Sequence, residues 1–201
     1  MSKARIAVLV SGGGTNLQAL LDSQGEVLVS GEICLVISNN PDAYALTRAR
    51  NSGVEAVVIT KKECGNQDAF EQALIRTLEY RQIDLIVLAG FMSILSERFT
   101  GRYPERIINV HPSLIPSFCG KGYYGLKVHQ EALAYGVKVT GATVHFVNEI
   151  PDGGKIILQK AVEILEDDTP EILQKRVMEQ AEWKLLPAAV ELVSSQLIKK
   201  G

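Results

Sequence analysis

The stretch Arg5-Ile6-Ala7-Val8-Leu9-Val10-Ser11-Gly12-Gly13-Gly14-Thr15-Asn16 decides the fold. Arg5–Val10 is short, apolar and bounded by glycines, which reads as a buried strand rather than a helix. The glycines let the backbone turn sharply, and the amphipathic stretch from about Asn16 to Asp22 reads as a helix. A strand leading through such a turn points the N–H groups at the helix N-terminus toward whatever sits there. Phosphate is the natural occupant, with the Thr15 hydroxyl and the Asn16 amide as further donors. The motif is neither GxGxxG nor GxxxxGK[ST], so it fits neither the dinucleotide fingerprint nor the P-loop. Taken alone, a purely structural tight turn accounts for it equally.

The same beat continues downstream. Glu32–Ser38 reads as a strand, Asp42–Ser52 as a helix with Gly53 at its C-terminal cap, and Ala56–Ile59 as a short strand. Gln67–Arg81 places Ala69, Phe70, Ala73, Leu74 and Leu78 on one helical face. Asp84–Ala89 is almost continuously apolar, as a strand covered on both faces must be. Ser93–Phe99 reads as a brief helix and Arg106–Val110 as a strand. The alternation predicts an α/β fold with a doubly wound, mostly parallel, Rossmann-like sheet. Beyond His111 the rhythm changes. Pro112, Pro116, Gly120, Gly122 and Gly125 mark an irregular loop, followed by a helix over Leu126–Tyr135. Lys138–Val147 and Lys155–Ile164 read as an antiparallel strand pair. Thr169 and Pro170 open a long C-terminal helix, which Pro187 is predicted to kink or interrupt before Ala188–Lys199.

Composition narrows the function. The 201 residues carry 21 Lys+Arg against 23 Asp+Glu, a net charge of −2, and 46% are apolar. A disordered chain would be less apolar, and a nucleic-acid binder would show a basic excess. Cys34, Cys64 and Cys119 form no CxxC, and the histidines do not fall at zinc-ligand spacing, so no metal site is expected. The first apolar run is shorter than the roughly 7–15 residues of a signal peptide core, and no run reaches the roughly 20 needed to span a bilayer. The expectation is a cytoplasmic protein with neither membrane nor nucleic-acid partners.

Two further motifs carry chemistry. In Asn109-Val110-His111-Pro112-Ser113, the i and i+2 positions of a strand put Asn109 and His111 on one face, at the strand end where open α/β sheets place ligands. A donor amide beside an imidazole suits a reaction that develops an oxyanion and moves a proton. An Asn–His pair that merely satisfies a strand end is the alternative. Asp152-Gly153-Gly154 reads as a hairpin turn, but His145 interrupts the apolar run before it, and a carboxylate and a histidine at one end of a hairpin can meet. A hydrogen-bonded core role for His145 is equally compatible. His129, on a polar helix face, is expected to be exposed.

His111-Pro112-Ser113-Leu114-Ile115-Pro116, Gly141-Ala142-Thr143-Val144-His145-Phe146-Val147 and Asp152-Gly153-Gly154, together with Ser11–Leu17 and Leu88-Ala89-Gly90-Phe91-Met92, resemble the folate-dependent formyltransferases over essentially the whole chain. Among these they resemble the branch acting on phosphoribosylglycinamide. The resemblance implies a single domain over residues 1–201, with a phosphate-binding half (1–110) and a folate-binding, catalytic half (111–201). It implies transfer of formyl from 10-formyltetrahydrofolate to the amine of glycinamide ribonucleotide in purine synthesis, without a metal. Asn109, His111 and Asp152 match the family's catalytic residues, with His111 acting best as a cation beside Asp152 and His145 behind them. Gly14, Thr15 and Asn16 match the phosphate site, and Glu182, with Glu179, Gln180 and Ala181, the ribose site. Met92, Ser93, Ile94, Leu95, Asn148, Glu149, Ile150 and Pro151 match the folate pocket, joined by Asn109, Asp152 and Gln67. Ser93 and Gln67 stand where some members carry basic residues. The implied partners are the small-molecule substrates, bound by a monomer or homodimer. A formyltetrahydrofolate hydrolase, with water as nucleophile, and a non-catalytic nucleotide-binding module are the competing readings. A nicotinamide dehydrogenase lacks its acidic ribose partner, since Leu35–Asn39 ends in Ser-Asn.

Overall fold

The computed structural model describes residues 3–200; Met1, Ser2 and Gly201, included in the expected single domain, lie outside the described residues. At its centre is β1 (Ala4–Val10), whose side chains point alternately into two apolar layers. Ile6, Val8 and Val10 enter one layer and Ala7 and Leu9 the other, all fully buried. Helices on both faces explain why this strand has no polar side. One layer is closed by α1 (Thr15–Asp22), α2 (Tyr44–Asn51) and α8 (Trp183–Lys200), which supply Leu17, Leu20, Ala45, Leu186 and Val190. The other is closed by α4 (Gln67–Tyr80), through Phe70, Leu74 and Leu78, and by α5 (Glu97–Arg102), through Phe99.

The remaining elements are β2 (Gly31–Ser38), β3 (Glu55–Val58), α3 (Lys61–Cys64), β4 (Leu85–Leu88), β5 (Ile107–His111), α6 (Leu126–Tyr135), β6 (Val139–Phe146), β7 (Ile156–Glu163) and α7 (Pro170–Val177). The seven strands form one sheet in the order β3-β2-β1-β4-β5-β6-β7. The first five are parallel, while β6 runs antiparallel to both β5 and β7. The order reverses between β1 and β4, so the loops that follow these strands diverge and open a crevice at their carboxyl ends. Pairing of β5 with β6 then sets Asn109 opposite His145 and His111 opposite Thr143.

Four local expectations are corrected. The helix expected from Ser93 starts at Glu97, because the Ser96 hydroxyl caps it by accepting the Phe99 N–H. Met92–Leu95 stays irregular and is left to line the crevice. The helix expected from Asp42 begins at Tyr44, since the Asp42 N–H is held by Asn40 Oδ1 in the preceding turn. Pro187 does not interrupt α8; the irregularity is a π-turn over Met178–Glu182 that joins α7 to α8. A proline removes one N–H and crowds the carbonyl four residues earlier, which here is Trp183, the residue directly after the wide turn. His129 is 1% exposed, because α6 turns it inward beside Val128 and Ala132. Both of its ring nitrogens lack partners among the described residues, and burial, aided by nearby His111, pushes its pKa down to about 4.

Leu9 is fully buried on the central strand, so Leu9→Ala should lower the unfolding free energy by about 2–5 kcal/mol. Urea denaturation should show this with an unchanged slope. A loss under about 0.5 kcal/mol, the range of surface substitutions, would contradict the assigned core.

Candidate active site

The candidate site begins where β5 stops being apolar. Asn109 and His111 share the face that β5 turns toward the α4–α5 layer. Because α5 is a six-residue helix, it leaves that end of the layer open. The cross-strand neighbour His145 orients Asn109. His145 Nδ1 donates to the Phe146 carbonyl at 2.8 Å. A carbonyl only accepts, so the neutral ring carries its lone pair at Nε2. Asn109 Nδ2 donates to that lone pair at 3.2 Å, which fixes the amide and leaves its second N–H for a ligand.

His111 is held the opposite way. Its Nε2 donates to the Phe118 carbonyl at 2.9 Å, so the lone pair sits at Nδ1, 3.5 Å from Asp152 Oδ2. That oxygen accepts the Gly120 N–H at 2.8 Å, and Asp152 Oδ1 lies 3.6 Å from His145 Nε2. The carboxylate therefore stands between two imidazoles. Its turn, Ile150–Gly153, is closed by a 2.9 Å bond from the Gly153 N–H to the Ile150 carbonyl. Asp152 has φ 56°, the left-handed region that aspartate enters more readily than most residues. Strain of this kind persists only where its surroundings enforce it. Gly154 does so: a Cβ there would sit 1.7 Å from the Phe146 carbonyl oxygen.

Burial pushes the His111 pKa below its ordinary 6.5, and the Asp152 charge and the Phe118 carbonyl reverse this only in part. Burial also pushes the Asp152 carboxyl up, but His145, the His111 ring and the Gly120 N–H together hold it below its ordinary value. At neutral pH the pair is a neutral imidazole and an ionised carboxylate. Burial outweighs the acidic neighbour, so the cation that the resemblance implies at His111 would arise only when the ring takes up a proton. Nδ1 and Oδ2 face each other as two acceptors, an arrangement ready to take up a proton.

Two cavities meet at this cluster. One, of about 140 Å³, is walled by Leu88, Phe91, Leu95 and Val147 and floored by Asn148–Asp152. The other, of about 490 Å³, is lined by Gly90, Met92, His111, Pro112 and the loop Gly120–Gly125. Phe91, Ser93, Ile94, Asn109, Pro151 and Asp152 border both. The predicted folate-pocket residues are thus brought together, except Gln67. It stands behind the rim, donating to Glu71 Oε1 at 2.7 Å and the Ile94 carbonyl at 3.1 Å. Leu88 and Phe91 lay in a quoted motif but went unassigned, and Val147, Lys121, Tyr123 and Tyr124 were missed. The loop residues follow no periodicity that would reveal them.

The glycine turn lies at the other end of the crevice. Gly14 has φ 73°, and a Cβ there would meet Ala45 Cβ at 2.6 Å, so this position requires glycine. The turn's carbonyls are taken up by Asn40 Nδ2 on Ser11, the Ala45 N–H on Gly12 and Arg48 Nε on Gly13. What it still offers is N–H groups, the exposed Thr15 hydroxyl and the nearby Arg48 guanidinium, a cation the sequence reading missed. Asn16 gives one Nδ2–H to Glu182 Oε2 at 2.7 Å and, like Asn109, keeps its second. Burial pushes the Glu182 carboxyl up against the pull of that amide. Of the predicted ribose residues, Glu182 is bonded to the turn. Ala181 is buried in the core, and exposed Glu179 pairs with Lys175 at 3.8 Å. Gln180 is exposed.

This geometry has relatives. Residues 4–190 match the family model described as formyl transferase. Over 99% of its length the chain is 46% identical to the trifunctional purine biosynthetic protein adenosine-3 of Homo sapiens, of which it spans 19%. The phosphoribosylglycinamide formyltransferase of Haemophilus influenzae is 41% identical over 93% of this chain and 85% of its own length. The solved glycinamide ribonucleotide transformylase 1 from Symbiobacterium toebii superposes with a TM-score of 0.90 at 43% identity, covering 96% of this chain and 89% of that one. The chain belongs to the formyl transferase family, among its phosphoribosylglycinamide formyltransferases.

Proposed function

We propose that the chain transfers the formyl group of 10-formyltetrahydrofolate to the amine of N1-(5-phospho-D-ribosyl)glycinamide, a step of de novo purine synthesis. The observation that carries this is the junction of two cavities at Asn109, His111 and Asp152, with the glycine turn tied to the cavity rim by a 2.8 Å bond from the Met92 N–H to Ser11 Oγ. The chain's similarity to phosphoribosylglycinamide formyltransferases supports this reading. Residues 1–110 supply the phosphate turn and the Met92–Leu95 wall, and residues 111–201 supply His111, Asp152 and Glu182.

The N–H groups of Gly13–Asn16, Thr15 and Arg48 hold the phosphate, because a helix N-terminus and a cation both favour negative charge. The narrow cavity suits a flat heterocycle: Leu88, Leu95 and Val147 give apolar walls and the 148–152 backbone gives hydrogen-bonding edges. This sets the formyl carbon beside Asn109 and Asp152. The amine nitrogen bonds to that carbon, and the carbonyl electron pair moves onto oxygen, where the free Asn109 N–H meets it. The amine proton passes through water to the acceptor pair His111 Nδ1 and Asp152. The resulting imidazolium is stabilised by the carboxylate. As the bond from carbon to folate N10 breaks, N10 takes the proton and the formyl group remains on the amine.

Mixing the protein with 10-formyltetrahydrofolate, with and without glycinamide ribonucleotide, should release folate only when both are present. Release without the amine would make it a hydrolase, and silence from folded protein would overturn the reading. Asn109→Ala and His111→Ala should each lower kcat at least about a hundredfold; near-normal turnover in both would displace them from the chemistry. Because His111 and Asp152 must be deprotonated to accept the proton, kcat should hold through neutrality and fall only as pH drops through a value below 6.5. A profile whose acid limb is centred above 6.5 would contradict the neutral-imidazole assignment.

A further inference from the structure

Resting on that functional reading, the placement of the two cavities dictates how a formyl folate lies and exposes a charge the mechanism leaves unused. N10 joins the pterin to the aminobenzoyl-glutamate. With the pterin in the narrow cavity and the formyl group at Asn109, the aminobenzoyl-glutamate must extend into the wider one. Its carboxylates need a counter-charge there or continued access to water. The acidic wall residues Glu149 and Asp152 have the wrong sign. Ser93 is neutral: its oxygen accepts from Asn39 Nδ2 at 2.7 Å, and its O–H brings a hydrogen bond but no charge. The Gln67 amide is likewise engaged by Glu71 and Ile94.

Among the described residues that line the two cavities, Lys121 is the one lysine or arginine. It sits in the loop opposite Met92, Ser93 and Ile94, beside Tyr123 and Tyr124. Its ammonium makes no hydrogen bond or ion pair among the described residues, whereas Lys127 nearby lies over the Tyr123 ring at 5.7 Å. The loop is tethered next to it, because the neighbouring Gly120 N–H is bonded to Asp152 Oδ2. Lys121 is thus fixed at its base, free at its tip and placed on the wider cavity. We propose that Lys121 anchors the glutamate carboxylate of the folate donor, and so sets the preference for a glutamyl over a non-glutamyl folate.

The test compares 10-formyltetrahydrofolate with 10-formyltetrahydropteroate, the same molecule without its glutamate, in the parent protein, Lys121→Met and Lys121→Arg. Lys121→Met should raise the KM for the glutamyl donor about tenfold, the scale of one charge-assisted contact. Its kcat and its KM for the pteroate should stay unchanged, and Lys121→Arg should restore the parent value. Added salt should weaken the glutamyl donor in the parent protein and not in Lys121→Met. An equal rise for both donors would mean that Lys121 only shapes the loop. A rise confined to the ribonucleotide KM would make it a phosphate contact. Either result overturns the proposal. Failure of the parent protein to turn over either donor would overturn the functional reading itself, and this inference with it.

Discussion

The hairpin between β6 and β7 folds hard against its own first strand, and the site depends on that contact. With a Cβ on residue 154 only 1.7 Å from the Phe146 carbonyl, only glycine lets the chain pass. Two residues before this passage Asp152 takes a left-handed conformation, and its carboxylate lies between His111 and His145. An ionised carboxylate is costly to bury, and here it accepts the Gly120 N–H and shares its site with two imidazoles, one of which can take up a proton beside it. The same carboxylate tethers the 118–125 loop through Gly120. One backbone approach thereby sets a charge, two ring environments and a loop.

The protonation logic rests on two carbonyls. Phe146 takes the Nδ1–H of His145 and Phe118 takes the Nε2–H of His111, so the two rings present opposite nitrogens to Asp152. His145 can then orient the Asn109 amide, while His111 keeps a lone pair toward the carboxylate. Reversing either tautomer would leave Asn109 without its acceptor or His111 without a basic nitrogen. A third histidine, His129, is buried without partners among the described residues and held neutral, so it adds no charge beside His111.

Much of this was legible in the sequence because it is local. The apolar strand, the glycine turn and the i, i+2 relation of Asn109 and His111 follow from periodicity alone, as does the Asp-Gly-Gly turn. What escaped the reading depends on pairing across distance. His145 meets Asn109 only through the β5–β6 register, and Asn16 meets Glu182 across 166 residues. The inward turn of His129 is set by how α6 packs, not by its polar neighbours in sequence. The downward pull on the His111 pKa is not readable from the sequence for the same reason, since burial is a property of the assembled layers. Pro187 misled because its local rule is real, but the chain adjusts its pitch one turn earlier.

The distribution of charge along the crevice explains how a buried anion can serve two anionic substrates. A carboxylate beside the reacting carbon would repel a phosphate or a glutamate held nearby, and in a poorly solvated cleft that repulsion is strong. The fold keeps these charges apart. In the proposed arrangement phosphate would be drawn to the turn after β1, where N–H groups and Arg48 favour it, while Lys121 offers its charge on the wider cavity. The diverging loops of the switch point supply the separation, and β5, one strand further on, brings His111 and Asn109 to its middle. In that arrangement Asp152 would meet only the neutral parts of both molecules, the amine and the formyl group, and its negative charge would act on the migrating proton alone.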